Sequence, residues 1–136
     1  MDDLFLELFK YIEGGDIDEV KRLIETRGID NISETPSISD QTVLHVSIIT
    51  NQKKIFDYLL GRGVDIDATN DHGETPLILA VSLDRVEFVK ELLDCGANTK
   101  PRSSDGLNII EVMLENNSEF SYNKMSRMIM SLARFD

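Results

Sequence analysis

GETPLILAVSLDRVEFVKELLDCGAN, residues 73–98, opens on a threonine and a proline, runs through an apolar patch and closes on a glycine. Thr75 is a good helix N-cap, and Pro76 suits the first helical position, where a missing N–H costs nothing. Leu77, Leu79, Ala80 and Val81 then predict a short helix that is apolar on most faces and must lie between neighbours. Asp84 and Arg85 interrupt the apolar run and turn the chain. Val86, Val89, Leu92 and Leu93 follow the three-and-four spacing of a second, amphipathic helix, whose outer face carries Glu87, Lys90, Glu91 and Asp94. Gly96 ends it, because the left-handed backbone at that point favours glycine. The segment predicts a helical hairpin, and one hairpin alone cannot bury both faces.

The rest of the chain supplies the neighbours. Thirty-three residues upstream, QTVLHVSIITNQKKIFDYLLGRGVD (41–65) repeats the skeleton: Thr42 answers Thr75, Leu44 answers Leu77, Phe56 answers Val89, and Gly63 answers Gly96. Leu59 and Leu60 answer Leu92 and Leu93, and Asp40 falls where Gly73 stands. Near the start, GGDIDEVKRLIETRGID (14–30) repeats the second half through Gly15, Val20, Leu23, Ile24 and, after one extra residue, Gly28. Near the end, Asp105 and Gly106 answer His72 and Gly73. Four units result: about 1–36 as an N-terminal cap, 37–69, 70–102, and 103–136 as a degenerate C-terminal cap. Between the first two, RGIDNISETPSISD with Pro36 predicts an extended surface loop.

These residues in register resemble the ankyrin repeat, whose pattern runs D-x-x-G-x-T-P-L-H-x-A, a glycine turn, then V-x-x-L-L-x-x-G-A-D. Residues 70–102 match best, with Gly73, Thr75, Pro76, Leu77, Ala80, Val89, Leu92, Leu93, Gly96 and Ala97. Residues 37–69 keep Thr42, Leu44, His45, Leu59, Leu60, Gly63, Asp65 and Ala68, but have Val43 for proline, Ser47 for alanine and Asn51 for glycine. The last unit keeps Gly106 and has Asn108, Ile109 and Glu111 where threonine, proline and histidine are expected; its end, YNKMSRMIMSLARF, predicts an amphipathic helix. The resemblance implies an all-α ankyrin-repeat solenoid of four stacked helix-turn-helix units joined by short hairpin turns, covering the whole chain as a single domain.

Composition narrows the function. The net charge of −11 opposes nucleic-acid binding, which needs clustered Lys and Arg. Acids outnumber bases 10 to 4 over residues 1–36, 4 to 3 over 37–69, 6 to 4 over 70–102 and 5 to 3 over 103–136, so more than half the excess lies in the first unit. That unit is a solvated cap or a surface that steers a basic partner. No apolar run approaches the roughly 20 residues that span a bilayer. The start, MDDLFLELF, is acidic where a secretory leader is basic, and the single Cys95 fits a reducing compartment. The expectation is a cytoplasmic or nuclear protein, in the producing cell or a host, that needs no membrane and is monomeric when free.

No enzyme is expected. His45 occupies the position where the resemblance implies a ring bonded near Thr42 that ties adjacent units, while His72 falls on an exposed hairpin tip. With Cys95 on the outer side, no metal spacing, nucleophile–base pair or phosphate-binding glycine loop emerges; catalytic residues, metal and cofactor are all expected to be none. Asp16, Asp18 and Glu19 read as a charged turn, and the late Met113, Met125, Met128 and Met130 as core filling. The resemblance implies that a protein partner is gripped by hairpin tips and by the exposed edge of the first helices, on a concave face. Carried onto this chain, that gives Ile38, Ser39, Gln41, Ile49 and Thr50 in the second unit. The third contributes Thr69, Asp71, His72, Glu74, Ser82 and Leu83, and the fourth Arg102, Ser104, Asp105, Leu107, Glu115 and Asn116. Ile38, Ile49, Leu83 and Leu107 are candidate apolar anchors, with Ile49 and Leu83 expected at matching positions of adjacent units. The chain resembles short viral ankyrin proteins that mimic NF-kappa-B inhibitors, and small acidic immunity proteins of bacterial toxin systems. Both imply a stoichiometric inhibitor that masks its partner; the alternative is an adaptor that bridges two proteins.

Overall fold

The computed structural model describes residues 3–27 and 41–115, together with Arg127. The extended loop around Pro36, the closing segment 122–135 apart from Arg127, and the candidates Ile38, Ser39 and Asn116 lie outside the described residues. Among those residues there are seven helices and no strand: α1 (Asp3–Glu13), α2 (Ile17–Arg27), α3 (Val43–Ile49), α4 (Lys53–Gly61), α5 (Pro76–Ser82), α6 (Val86–Asp94) and α7 (Ile109–Glu115). The chain is an all-α repeat solenoid.

Several boundaries have a local cause. Thr75, extended at φ −78° and ψ 161°, accepts from the Ile78 N–H, and Pro76 starts α5. Thr42 caps α3 in the same way by accepting from the His45 N–H. The turns inside the hairpins place Asn51 (φ 60°) and Asp84 (φ 61°) in the left-handed region where the family pattern has glycine. Asn and Asp are the non-glycine residues that enter that region at least cost. At the ends of the second helices, Gly63 (φ 84°) and Gly96 (φ 86°) take the left-handed conformation that releases the chain toward the next hairpin. Three of these positions recur at the 33-residue period found in the sequence. α2 has 11 residues, two more than the 9 of α4 and α6, and Gly28, which follows it, lies outside the described residues.

Two charged or degenerate-looking stretches turn out to be caps. Asp16 accepts from the Glu19 N–H through Oδ1, so the acidic turn is the N-cap of α2. In the last unit Asn108 Oδ1 accepts from the Glu111 N–H at 2.9 Å while Glu111 Oε1 accepts from the Asn108 N–H at 3.0 Å. This reciprocal capping box starts α7 without threonine or proline.

The first helices α1, α3, α5 and α7 pack side by side as one row, and α2, α4 and α6 form a second row behind them. Every residue from Pro76 to Val81 is buried, as an apolar helix with neighbours on both sides requires. Leu59 and Leu92 are fully buried, and Phe56 meets Phe88 edge to face with ring centroids 4.9 Å apart, joining α4 to α6. One continuous core runs from Leu8 in α1 to Met113 in α7.

Candidate interaction surface

The hairpin between the second and third units is organised by Asn70, a buried residue that the sequence reading passed over. Its Oδ1 accepts from the His72 and Glu74 N–H groups, both at 3.0 Å. Its Nδ2 donates to Gln41 Oε1 of the preceding unit and to Glu74 Oε1. Its backbone N–H donates to the Glu74 carbonyl, and its carbonyl accepts from the Gly73 N–H. Ser103 repeats the plan one period later: its N–H donates to the Leu107 carbonyl, its hydroxyl accepts from the Leu107 N–H, and its carbonyl accepts from the Gly106 N–H. An Asn or Ser three residues before each tip glycine was the available signal.

With the backbone held this way, Thr69, Asp71 and His72 stand exposed at one tip, and Arg102, Ser104 and Asp105 at the next. Asp71 is 33 residues before Ser104 and His72 is 33 before Asp105, so the tips present matched positions. Four expected contacts are also engaged within the chain. Gln41 and Glu74 are half-buried in the Asn70 network. Leu107 is half-buried and packs against the core, so it is not an open anchor. Arg102 is exposed but donates to the Gly106 carbonyl at 2.8 Å.

At the opposite ends of the first helices, Ile49 is 41% and Leu83 40% exposed, while Glu115 is exposed at the end of α7. Thr50 and Ser82 are half-buried, and their hydroxyls donate to the Val46 and Leu79 carbonyls of their own helices. The expected equivalence of Ile49 and Leu83 needs correction. Ile49 is the last residue of α3 and answers Ser82, the last of α5; Leu83 is the C-cap and answers Thr50. The two apolar side chains therefore stand one step out of register on adjacent helices. The two helix ends are joined by Arg85, just beyond Leu83, which donates from Nε to the Ile48 carbonyl (3.2 Å) and from Nη2 to the Ile49 carbonyl (3.1 Å). Arg85 thereby serves the Ile49 carbonyl and adds a second donor to the Ile48 carbonyl, which also accepts from the Asn51 N–H.

His45 is buried, as the structural role predicted. Its Nδ1 pairs with the Thr42 hydroxyl and its Nε2 with the Glu74 carbonyl of the next unit at 2.8 Å. With Nε2 protonated and Nδ1 accepting, the neutral ring satisfies both. Burial, opposed by the Glu74 carbonyl, holds its pKa below the ordinary 6.5. Cys95 is exposed at the end of α6, and partial burial followed by the nearby Glu91 carboxylate push its thiol pKa up. A thiol kept protonated is a poor nucleophile. Iodoacetamide will label Cys95 more slowly than free cysteine at pH 8, and Cys95→Ser will change unfolding free energy by less than about 0.5 kcal/mol. Among the described residues no group of three or more His, Cys, Asp and Glu could hold a metal ion, and no helix is long and apolar enough to cross a membrane.

Comparison with known proteins agrees with this architecture. A family profile described as ankyrin repeats (3 copies) matches residues 8–103. A putative E3 ubiquitin-protein ligase of Arabidopsis thaliana is 34% identical over 91 residues, which is 67% of this chain and 20% of that protein. A putative ankyrin repeat protein of Fowlpox virus is 41% identical over 71 residues, 52% of this chain and 15% of that protein. Protein phosphatase 1 regulatory subunit 27 of Homo sapiens is 30% identical over 105 residues, 77% of this chain and 65% of that protein. The matched part is thus about a fifth or less of the plant and viral relatives. A profile match over most of the length, with the caps, left-handed turns and paired leucines in register, has one reading: the chain belongs to the ankyrin-repeat family, whose repeats are protein–protein interaction modules.

Proposed function

We propose that this protein binds a partner protein across its hairpin tips and the ends of its first helices, and acts by masking the surface it covers. The observation that carries the reading is the pair of tips at Asp71–His72 and Ser104–Asp105, exposed at matched positions on hairpins whose backbone groups are already held by Asn70 and Ser103. A surface ordered before binding loses little conformational entropy when it docks. The net charge of −11 favours a partner with a basic surface.

Affinity capture on the immobilised chain tests this. A retained protein will be lost, or bound at least tenfold more weakly, with Asp71→Lys plus Asp105→Lys, while the circular dichroism spectrum is unchanged. Titrating the purified partner then separates masking from bridging: its activity should fall to a floor at one equivalent. Full activity at saturation would support the adaptor. Retention that ignores the tip change would show that the tips are not the contact.

A further inference from the structure

The edge where the first helices end has a composition distinct from the tips. Cross-links at both ends show that α3 and α5 run in the same direction: His45 near the start of α3 reaches Glu74 just before α5, and Arg85 just after α5 reaches the end of α3. The α1–α2 turn joins the row, since the Gln52 side chain lies 3.0 Å from where a β-carbon on Gly15 would stand. α7 follows a tip bonded like the one before α5 and packs on α5. The ends of the four helices therefore line one edge in the order Glu13, Ile49, Leu83 with Asp84, and Glu115. Two exposed apolar side chains sit in the middle and a carboxylate at each flank. The carbonyl ends of the helices add partial negative charge along the same line. Arg85, two residues after Leu83, has its guanidinium on the Ile48 and Ile49 carbonyls, and Lys53 pairs with Asp57 at 2.6 Å.

We infer that this edge docks an extended, basic-and-apolar segment of the partner protein. The inference rests on the protein-binding reading and names the chemistry of what is bound. Helices in contact stand roughly 8–10 Å apart, and an extended chain advances about 3.3 Å per residue. Neighbouring anchor points are therefore about three residues apart on the segment. The pattern is Lys or Arg, an apolar residue about three positions on, a second apolar residue about three further, then Lys or Arg again. The apolar pair would cover Ile49 and Leu83, and the terminal cations would lie near Glu13 and Glu115. A second copy of this acidic chain, a nucleic acid or an anionic membrane would meet like charge here.

Selection from random displayed peptides of about twelve residues, enough to cover the roughly ten that four anchors about three residues apart require, tests the assignment on the full chain. Selected peptides should carry the basic–apolar–apolar–basic pattern. Their affinity should fall at least tenfold with Ile49→Ser plus Leu83→Ser, a change that adds no charge and leaves the helical spectrum intact. Glu13→Gln plus Glu115→Gln should weaken binding several-fold and flatten its salt dependence. Asp71→Lys plus Asp105→Lys should leave these peptides bound. Peptides lost only with the tip change, peptides without cations, no selected peptide at all, or a dimer in sedimentation that Ile49→Ser plus Leu83→Ser dissolves would each overturn the assignment. The capture experiment above would stand or fail separately, since it reads the tips.

Discussion

Leu59→Ala and Leu92→Ala will each lower the free energy of unfolding by about 2–5 kcal/mol, the range for truncating a buried leucine. The two residues occupy the same place one repeat apart, on α4 and α6, and both are fully buried. Both belong to the one core cluster that runs through all the units, so truncation opens a void in packing the units share. The core around them leaves little freedom to collapse into the void: Phe56 and Phe88 are locked edge to face beside them, and Ile55 and Val89 are also buried. A domain of this size commonly holds only about 5–15 kcal/mol in total. Either substitution will therefore move the urea midpoint far toward zero, and in a stack it should unfold the neighbouring unit too. Leu60→Ala provides the contrast, because Leu60 is only half-buried and its loss should cost less. Tolerance at Leu59 and Leu92 equal to that at Leu60 would mean that the outer helices are rotated from the described register.

Much of this architecture was legible because the ankyrin period is written in backbone punctuation as well as in apolar residues. Thr75-Pro76 and Thr42 mark helix starts, and Gly63 and Gly96 mark ends, through local physics that needs no tertiary context. What escaped the reading were polar residues whose partners are distant in sequence. Asn70 looks like any loop asparagine until Gln41, 29 residues earlier, is seen to meet it. Arg85 looks like a turn residue until it reaches carbonyls 36 and 37 positions back. The Asn108–Glu111 capping box was hidden for a different reason: it departs from the family pattern while doing the same physical work, so comparison with that pattern marked it as decay. At the candidate surface, the family pattern led to residues that are exposed at the tips, Thr69, Asp71 and His72 at one and Arg102, Ser104 and Asp105 at the next. It could not tell that Leu107 leans on the core while Leu83 does not, since both follow a helix or turn boundary and differ only in what packs over them.

His45→Ala will cost about 3 kcal/mol at neutral pH and will remove the acid sensitivity of the fold. The ring is fully buried and joins two units, so truncation opens a void and deprives the Thr42 hydroxyl and the Glu74 carbonyl of a partner. The Glu74 carbonyl keeps the Asn70 N–H, which limits the loss at that end. The pH effect follows from the direction of the shift. In the unfolded chain the imidazole takes up a proton near 6.5; in the fold, burial postpones that uptake to lower pH. Through this window the unfolded state binds more protons, so stability rises with pH. The contribution of neutral His45 is complete above 6.5 and declines as pH falls toward the folded-state value, by up to about 1.4 kcal/mol per pH unit. The window begins above the range in which carboxylates ordinarily titrate, so its upper part reports histidine. Urea unfolding of the wild type between pH 7 and 5.5 should show the decline, His72→Ala should retain it, and His45→Ala should be flat there from a lower starting point. An equal decline in His45→Ala would place the titrating group elsewhere and leave the His45–Glu74 tie as packing alone.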